Sequence, residues 1–390
     1  MMTHDVVIIG AGPAGSTLAT LLARQGRQVA IVDAARFPRQ RVCGEYLSAA
    51  AWSILERLQL DVPRTLGAPL AEMIVRSPSG REVSVRYADD PQLRPAALGR
   101  DVFDARLLAS ARREGVTVLE GFRARGVLRS GGIINGVEIV DVADSEGRRE
   151  LHAPLIVAAD GRRSTVLQAT GSVHRTGAAT AGFKRHVPVA DRTSWAGRIA
   201  MHGAAGGYVG ICPAGDGYLN LCGTIPRTFL QKAHGRMGDA LRLFLGPNSP
   251  LLPPADSDDP REAWHAMPEV VQQRSRHREP GVLFVGDAMG TIEPLTGQGM
   301  TMALAGAEMV AELLRATGAR TADAVLQRRY EAQWFRTFRR PIAAAAWFGR
   351  ILRSPRLLDA VLLSTGVIPR LSQAVLLRAH DRTLTMPAAG

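Results

Sequence analysis

The sequence predicts an α/β protein in which a Rossmann-like dinucleotide-binding domain is interrupted by an antiparallel-sheet domain and followed by C-terminal helices. Three observations predict it. The apolar run Val6-Val7-Ile8-Ile9 enters Gly10-Ala11-Gly12-Pro13-Ala14-Gly15, and the segment beyond ends at Asp33. From about residue 171 to 280 the texture becomes Gly-rich and alternating. An apolar run then returns at Gly281-Val282-Leu283-Phe284-Val285.

The first observation has a physical reading at each position. A buried strand, a glycine turn, an Ala/Leu-rich helix and a second strand ending in an acid make up a dinucleotide fingerprint. Gly10 permits the tight turn, Gly12 lets the backbone approach a pyrophosphate, and Gly15 lets helix and strand pack closely. Pro13 and Ala14 open the helix, whose free N–H groups favour phosphate. Asp33, eighteen residues past Gly15, can accept a ribose hydroxyl.

The remaining elements follow in order. A basic segment, Arg36 to Glu45, precedes a helical pattern from about Ser48 to Leu60 with Trp52, Leu55 and Leu58 on one face. Short alternating runs at Met73–Val75 and Val83–Tyr87 read as strands. Asp101 to Arg113 reads as a helix with Phe103, Leu107 and Leu108 inward, followed by a strand from Val116 to Leu119 and a hairpin-rich stretch through Val142. Leu155-Ile156-Val157-Ala158-Ala159 is a further buried strand, ending in Asp160-Gly161. Gly206–Ile211 and Tyr218–Thr224 suggest antiparallel strands. After Gly286-Asp287 a long amphipathic helix starts near Gly297. These boundaries divide the chain into a discontinuous nucleotide domain (1–170 and 281–320, with substrate-domain strands near 70–95), a substrate domain (171–280) inserted between the third and last strands of the nucleotide domain, and a helical region (321–390).

Composition narrows the function classes. With 390 residues and 46% hydrophobic content the chain can bury a large core. Its net charge of +12 is almost all arginine, since Lys184 and Lys232 are the only lysines among 48 basic residues. Arginine suits phosphates, carboxylates and anionic lipid, and no aromatic-interleaved basic motif points to nucleic acid. Cys43, Cys212 and Cys222 form no CxxC pair, which gives no sign of a disulfide framework or a metal site and points to a reduced, cytoplasmic protein. The run from Val6 to Ala23 is broken by glycines and Pro13, so it reads as strand, turn and helix and not as a signal peptide or membrane span. The C-terminal region mixes Arg339, Arg340, Arg350, Arg353 and Arg356 with Trp347, Phe348, Leu352, Leu357, Leu358, Leu362 and Leu363. It reads either as helices packed over the core with snorkelling arginines or as a face that touches membrane.

Four separated segments together resemble the FAD-dependent oxidoreductases of the aromatic-hydroxylase (group A flavin monooxygenase) superfamily, and more narrowly its geranylgeranyl-reductase-like branch. They are Gly10 to Asp33; Arg100 in Gly99-Arg100-Asp101; Asp160-Gly161; and Gly286-Asp287 with Pro294-Leu295-Thr296-Gly297-Gln298-Gly299-Met300. The resemblance implies a glutathione-reductase-type fold and bound FAD, with NADPH or NADH as a transient donor. No second strand-GxGxxG-helix is present to hold a nicotinamide. It also implies that Arg100 reaches the flavin phosphate and ribityl region, that Asp160-Gly161 borders FAD and that Asp287 binds the ribityl chain. Arg41 reads either as a residue near the flavin or its substrate or as a solvated arginine, and Ala124 is a further cofactor-binding candidate. Cys43 and Glu45 match a segment that brings a cysteine near the isoalloxazine, where they would be catalytic. A small hydrophobe beside a capping carboxylate is the alternative. Tyr208 and Pro213 match a prenyl-reductase strand that lines substrate, but Gly210 and Cys212 replace its large aromatics. The lysine and WxWxIP strand of flavin halogenases are missing.

Two activities fit. The first is a monooxygenase using NAD(P)H and O₂ to hydroxylate or epoxidise a lipophilic aromatic or polyketide-like molecule, free or presented on a carrier or with a phosphate. The second is a reductase or dehydrogenase of isoprenoid or other carbon–carbon double bonds. A third class, a protein with a structural or redox-sensing flavin, predicts no NAD(P)H-dependent bleaching.

Overall fold

The computed structural model describes residues 4–367 apart from 145, 190, 192, 255–257 and 277–278, so the end of the expected helical region lies outside the described residues. Strand β1 (Val6–Ile9) runs into helix α1 (Pro13–Arg24) and returns as β2 (Val29–Asp33). The short β3 (Tyr46–Leu47) precedes α2 (Ala49–Arg57). Next come β4 (Ala68–Pro69), β5 (Glu72–Arg76), β6 (Glu82–Arg86), β7 (Ala96–Ala97) and α3 (Arg100–Arg113). A run of strands, β8 (Thr117–Glu120), β9 (Phe122–Ser130), β10 (Ile133–Asp141), β11 (Arg148–His152) and β12 (Leu155–Ala158), leads to α4 (Thr165–Ala169). Strands β13 (Val173–Pro188), β14 (Arg198–Ala204), β15 (Gly207–Gly215) and β16 (Tyr218–Pro226) are followed by α5 (Arg227–Lys232), α6 (Met237–Leu245) and β17 (His265–Ser275). The chain closes with β18 (Val282–Phe284), α7 (Gly299–Thr317), α8 (Ala324–Leu352) and α9 (Pro355–Val367).

Five strands form a parallel sheet in the order β18-β12-β1-β2-β8. Every residue of β1, β2, β12 and β18 is buried, as expected for parallel strands covered on both faces. The chain steps from β1 to β2 on one side and later to β12 on the other, so the direction of winding reverses at β1. A crevice opens at such a switch point, outside the carboxyl ends of the strands. Because β8 joins this sheet beside β2, strands β13–β17 of the larger sheet fall between its fourth and fifth strands, while β5 and β6 leave between its second and third. The sequence reading had put the inserted domain after the third.

The larger sheet has seven strands, β17-β13-β16-β15-β14-β5-β6. It is antiparallel except where β5, which arrives from the N-terminal third of the chain, pairs in parallel with β14. One face carries a core built with α5 and α6 around Phe183, Val209, Ile225 and Leu241. The other packs Met73, Val75, Ile199, Met201 and Tyr208 against Phe348, Ile351, Leu352, Leu358 and Leu362 of α8 and α9. The C-terminal helices are therefore core on their inner side, while Trp347, Leu357 and Leu363 are half exposed on the outer.

Candidate active site

Three of the four sequence segments converge at the carboxyl ends of the parallel strands: Gly10 after β1 with Asp33 at the end of β2, Asp160 after β12 and Gly286-Asp287 after β18. Gly10 has φ +100, and a Cβ there would lie 2.5 Å from the Ala159 carbonyl oxygen. A Cβ on Gly15 would lie 1.9 Å from the Gly10 oxygen, which fixes how tightly α1 crosses the turn. The Asp33 carboxylate accepts the amide protons of Ala11 and Ala35, each at 2.8 Å. Helices α1, α3 and α7 begin at Gly12, Gly99 and Gln298 with no side-chain cap, whereas Ser48, Ser164 and Asp323 cap α2, α4 and α8. Uncapped first-turn amides favour an anionic group.

The same end of the sheet offers open backbone. Side-chain positions on Gly161 and Gly299 meet nothing within 4 Å, and one on Gly12 meets only Arg39, at 3.6 Å. Asp160 uses one oxygen to accept the Thr165 amide at 2.8 Å, while its buried Oδ1 has no protein partner. Burial pushes this carboxyl up to about 6. An extended ligand rich in phosphate and hydroxyl groups, as FAD is, fits this set: amides for its phosphates, glycines where its chain passes, and an unsatisfied carboxyl for a donor. Asp287 is held by Arg162 Nε at 2.9 Å, and Gly286 abuts Ala14 at the start of α1. Gly297 adopts φ +64 and lies against the Tyr46 ring; Pro294, Gln298 and Met300 complete that loop, and Gln298 and Met300 are buried. Ala124 is buried on β9 opposite Ile139.

A chain of buried charges leads inward from Asp33. Arg39 Nη2 stands 3.7 Å from Asp33 and its Nη1 is 2.8 Å from Asp104, which Arg100 grips through two nitrogens at 2.9 and 2.7 Å. Burial works against the Arg100 charge, but Asp104 and the facing Cys43 side chain raise its proton affinity above the ordinary value. Arg41, in contrast, is exposed.

Beyond Cys43 the chain meets the seven-stranded sheet. Glu45 is fully buried with φ +58, a left-handed conformation that costs a non-glycine residue about 1–3 kcal/mol and persists only where the surroundings enforce it. Its amide donates to Cys43 Sγ at 3.4 Å and its carbonyl accepts from Leu98 at 2.8 Å. One carboxylate oxygen accepts from Lys184 Nζ and the other lies 3.0 Å from His186 Nε2. Burial alone would raise the Glu45 carboxyl, but His186 and Lys184 outweigh it and hold it below the ordinary value. Lys184 also donates to Gln40 at 2.6 Å. Strand register sets the rest of this face: Cys222 opposite Lys184, Asn220 opposite His186, then Gly210, Cys212 and Tyr208 on β15. Asn220 donates to the Cys43 carbonyl at 2.9 Å. Burial drives the Cys222 thiol up to about 12 and the Cys212 thiol and Tyr208 phenol well above their ordinary values.

The sequence reading missed Arg39, Arg162, Lys184 and His186. Lys184 carried a signal, being one of two lysines in a chain that otherwise writes arginine, and its i,i+2 spacing to His186 puts both on one strand face. Arg39 and Arg162 carried none that separates them from the other arginines.

Residues 3–346 match the family model described as the FAD binding domain. Menaquinone reductase of Mycolicibacterium smegmatis is 28% identical over 327 residues, covering 80% of this chain and 77% of that protein. Squalene monooxygenase of Rattus norvegicus is 27% identical over 329 residues, covering 80% of this chain but 54% of that longer protein. Among solved structures, a geranylgeranyl bacteriochlorophyll reductase-like protein from Thermoplasma acidophilum superposes with a TM-score of 0.74 at 20% identity, covering 96% of each chain, a likeness of fold.

Proposed function

We propose a monooxygenase activity from one premise: the chain belongs to the FAD binding domain family and is an FAD-dependent oxidoreductase. In this reading NAD(P)H supplies electrons and dioxygen supplies one atom, which is inserted into a lipophilic aromatic or polyketide-like molecule. The observation that carries it is the apolar layer packed between the seven-stranded sheet and the C-terminal helices. Met73, Met201, Tyr208 and Cys212 of the sheet meet Phe348, Ile351 and Leu352 of α8 and Leu295 of the loop entering α7. A lipophilic body that parts this layer would reach the loop that the resemblance assigns to the flavin. Bound FAD would supply the redox chemistry. The chain's own residues hold it: the amides of α1 and α7, Asp33, Asp160 and Asp287. They also dry the site, because Tyr208 is buried where sheet, loop and helices meet.

Incubating the FAD-loaded protein with NADPH, isotopically labelled dioxygen and lipophilic phenols tests the reading. Label in the product is expected; a substrate consumed without dioxygen overturns it. The second reading, reduction of a carbon–carbon double bond, is favoured by Cys43 standing between Arg100 and Glu45 in the interior, and the reductase named above supports it.

The lipophilic substrate class also favours contact with an anionic membrane surface. No helix among the described residues is long and apolar enough to cross a membrane. Trp347, Leu357 and Leu363 instead project outward among the exposed Arg336, Arg340, Arg350 and Arg356. Co-sedimentation with phosphatidylglycerol vesicles but not with phosphatidylcholine vesicles is the expected result. A substrate delivered on an acidic carrier or bearing a phosphate would show binding that weakens as salt is raised.

A further inference from the structure

We propose that Glu45, Lys184 and His186 form a proton relay that feeds the Cys43 side of the active site from solvent. The inference rests on the reading that NAD(P)H drives the reaction, but not on which reaction follows. Hydroxylation converts NAD(P)H, H⁺, O₂ and R–H into NAD(P)⁺, R–OH and H₂O. Double-bond reduction converts NAD(P)H, H⁺ and C=C into NAD(P)⁺ and HC–CH. With no substrate, NAD(P)H, H⁺ and O₂ give NAD(P)⁺ and H₂O₂. Each case consumes one proton per nicotinamide, and a dry interior must import it.

The geometry supplies a path. His186 is the member that reaches solvent, with 14% of its side chain exposed, while Lys184 and Glu45 are 1% and 0% exposed. The imidazole Nε2 and a Glu45 oxygen are 3.0 Å apart, and the other Glu45 oxygen is bonded to Lys184. Lys184 releases an Nζ proton toward the space bordered by Cys43 and Arg100 and becomes a neutral amine; the Glu45 carboxylate takes a proton from the His186 imidazolium and, as a carboxylic acid, hands a proton on to that amine, and the imidazole recovers its proton from water. Lysine in this place is informative. An arginine would satisfy the same carboxylate but cannot release a proton, and this chain uses arginine at 46 of its 48 Lys and Arg positions. The other lysine, Lys232, is exposed. The left-handed backbone at Glu45 keeps the carboxylate on the sheet while the amide stays on Cys43. Groups facing the carboxylate are Lys184 and His186 from β13, His265 from β17, Cys222 and Cys212 from β16 and β15, Arg100 from α3, and Cys43 and Gln40 of its own segment. Asp160, which follows β12 and has a buried Oδ1 without a protein partner, is the rival donor.

Oxidation of NADPH in air by the FAD-loaded protein tests the relay without a substrate. The wild-type rate is expected to fall as pH rises, because each turnover draws one proton through the relay. His186→Ala is expected to retain flavin but turn over about tenfold more slowly or worse, and added imidazole is expected to restore most of the rate. Lys184→Arg is expected to keep the fold and the flavin and still slow turnover. A readout apart from turnover is the NMR signal of the His186 ring N–H that faces Glu45: Glu45→Gln is expected to speed its exchange with solvent, because the 3.0 Å contact to a carboxylate is lost. Wild-type rates and an unchanged pH profile in His186→Ala, no rescue by imidazole, or loss of the pH limb in Asp160→Asn alone would each overturn the relay. A wild type that holds flavin but does not oxidise NADPH overturns the underlying reading instead.

Discussion

Two parts of this active site are built in opposite ways. The dinucleotide end is made by neighbours in sequence: Gly10, Gly12 and Gly15 lie within six residues, and their backbone does the work. The interior end is made by strangers: Glu45 meets Lys184 and His186 from about 140 residues away, and Cys43 meets Asn220. The first depends on space, the second on compensated charge, so they should fail differently.

The largest expected effect comes from filling space at the first. Gly15→Ala puts a methyl group 1.9 Å from a backbone oxygen that no rotamer change can move. The variant is expected to purify without flavin and to lose several kcal/mol of stability, on the order of the worst core substitutions. Visible absorbance and a thermal melt check both. A yellow protein with wild-type stability would show that the turn does not set the packing of α1.

Breaking charge at the second end should leave the flavin and damage the fold. Lys184→Met strips Glu45 of one of its two ion-pair partners inside the protein. Removing one member of a buried pair costs about 3–5 kcal/mol. Adding Glu45→Gln to Lys184→Met removes the stranded charge, so the double variant is expected to be more stable than Lys184→Met alone. Urea melts of both variants decide this. Additive losses would mean that the two groups do not form a unit.

That contrast also explains what the sequence disclosed. A glycine pattern is local and its consequence is steric, so Gly10, Gly12, Gly15, the uncapped start of α1 and Asp33 at the end of β2 could be placed without a fold. The parallel strands were legible for the same reason, as continuous apolar runs. The pairing of Lys184 with Glu45 is set by the packing of the 40–45 segment onto β13, and nothing in either stretch names the other. The parallel β5–β14 pair, likewise, depends on where a distant hairpin docks. Lys184 was conspicuous only as a departure from the chain's own arginine habit.

The two carboxyls of the site sharpen the comparison through pH. Asp160, raised to about 6 by burial, resists ionising in the folded chain. Its effect is absent below the ordinary carboxylate range and costs stability as pH climbs through about 6, up to about 3 kcal/mol. Glu45, held below its ordinary value, does the reverse: its stabilisation is present above the ordinary carboxylate range and is lost as pH falls through its own titration. Asp160→Asn is therefore expected to stabilise the protein at neutral pH and to match wild type near pH 4. Glu45→Gln is expected to destabilise at neutral pH, with the gap closing in acid. Melts across that range that show both variants shifting in the same direction would deny that the two ends differ in kind.

The smallest expected effect separates two arginines that sequence alone could not rank. Arg41 was read as a cofactor residue, but it is exposed, while Arg39 lies between Asp33 and Asp104 with 8% of its side chain exposed. Burial lowers the Arg39 proton affinity and Asp104 restores part of it, and the guanidinium stays charged. Arg39→Ala leaves Asp104 with Arg100 alone and uncovers the Gly12 turn, where Arg39 is the nearest side chain at 3.6 Å. It is expected to weaken FAD retention about tenfold, whereas Arg41→Ala is expected to change stability by no more than about 0.5 kcal/mol and to leave flavin content unchanged. Flavin-release titrations on the two variants measure the difference. Equal losses would place Arg41 at the cofactor despite its exposure and would move the boundary between the two ends of the site two residues along the chain.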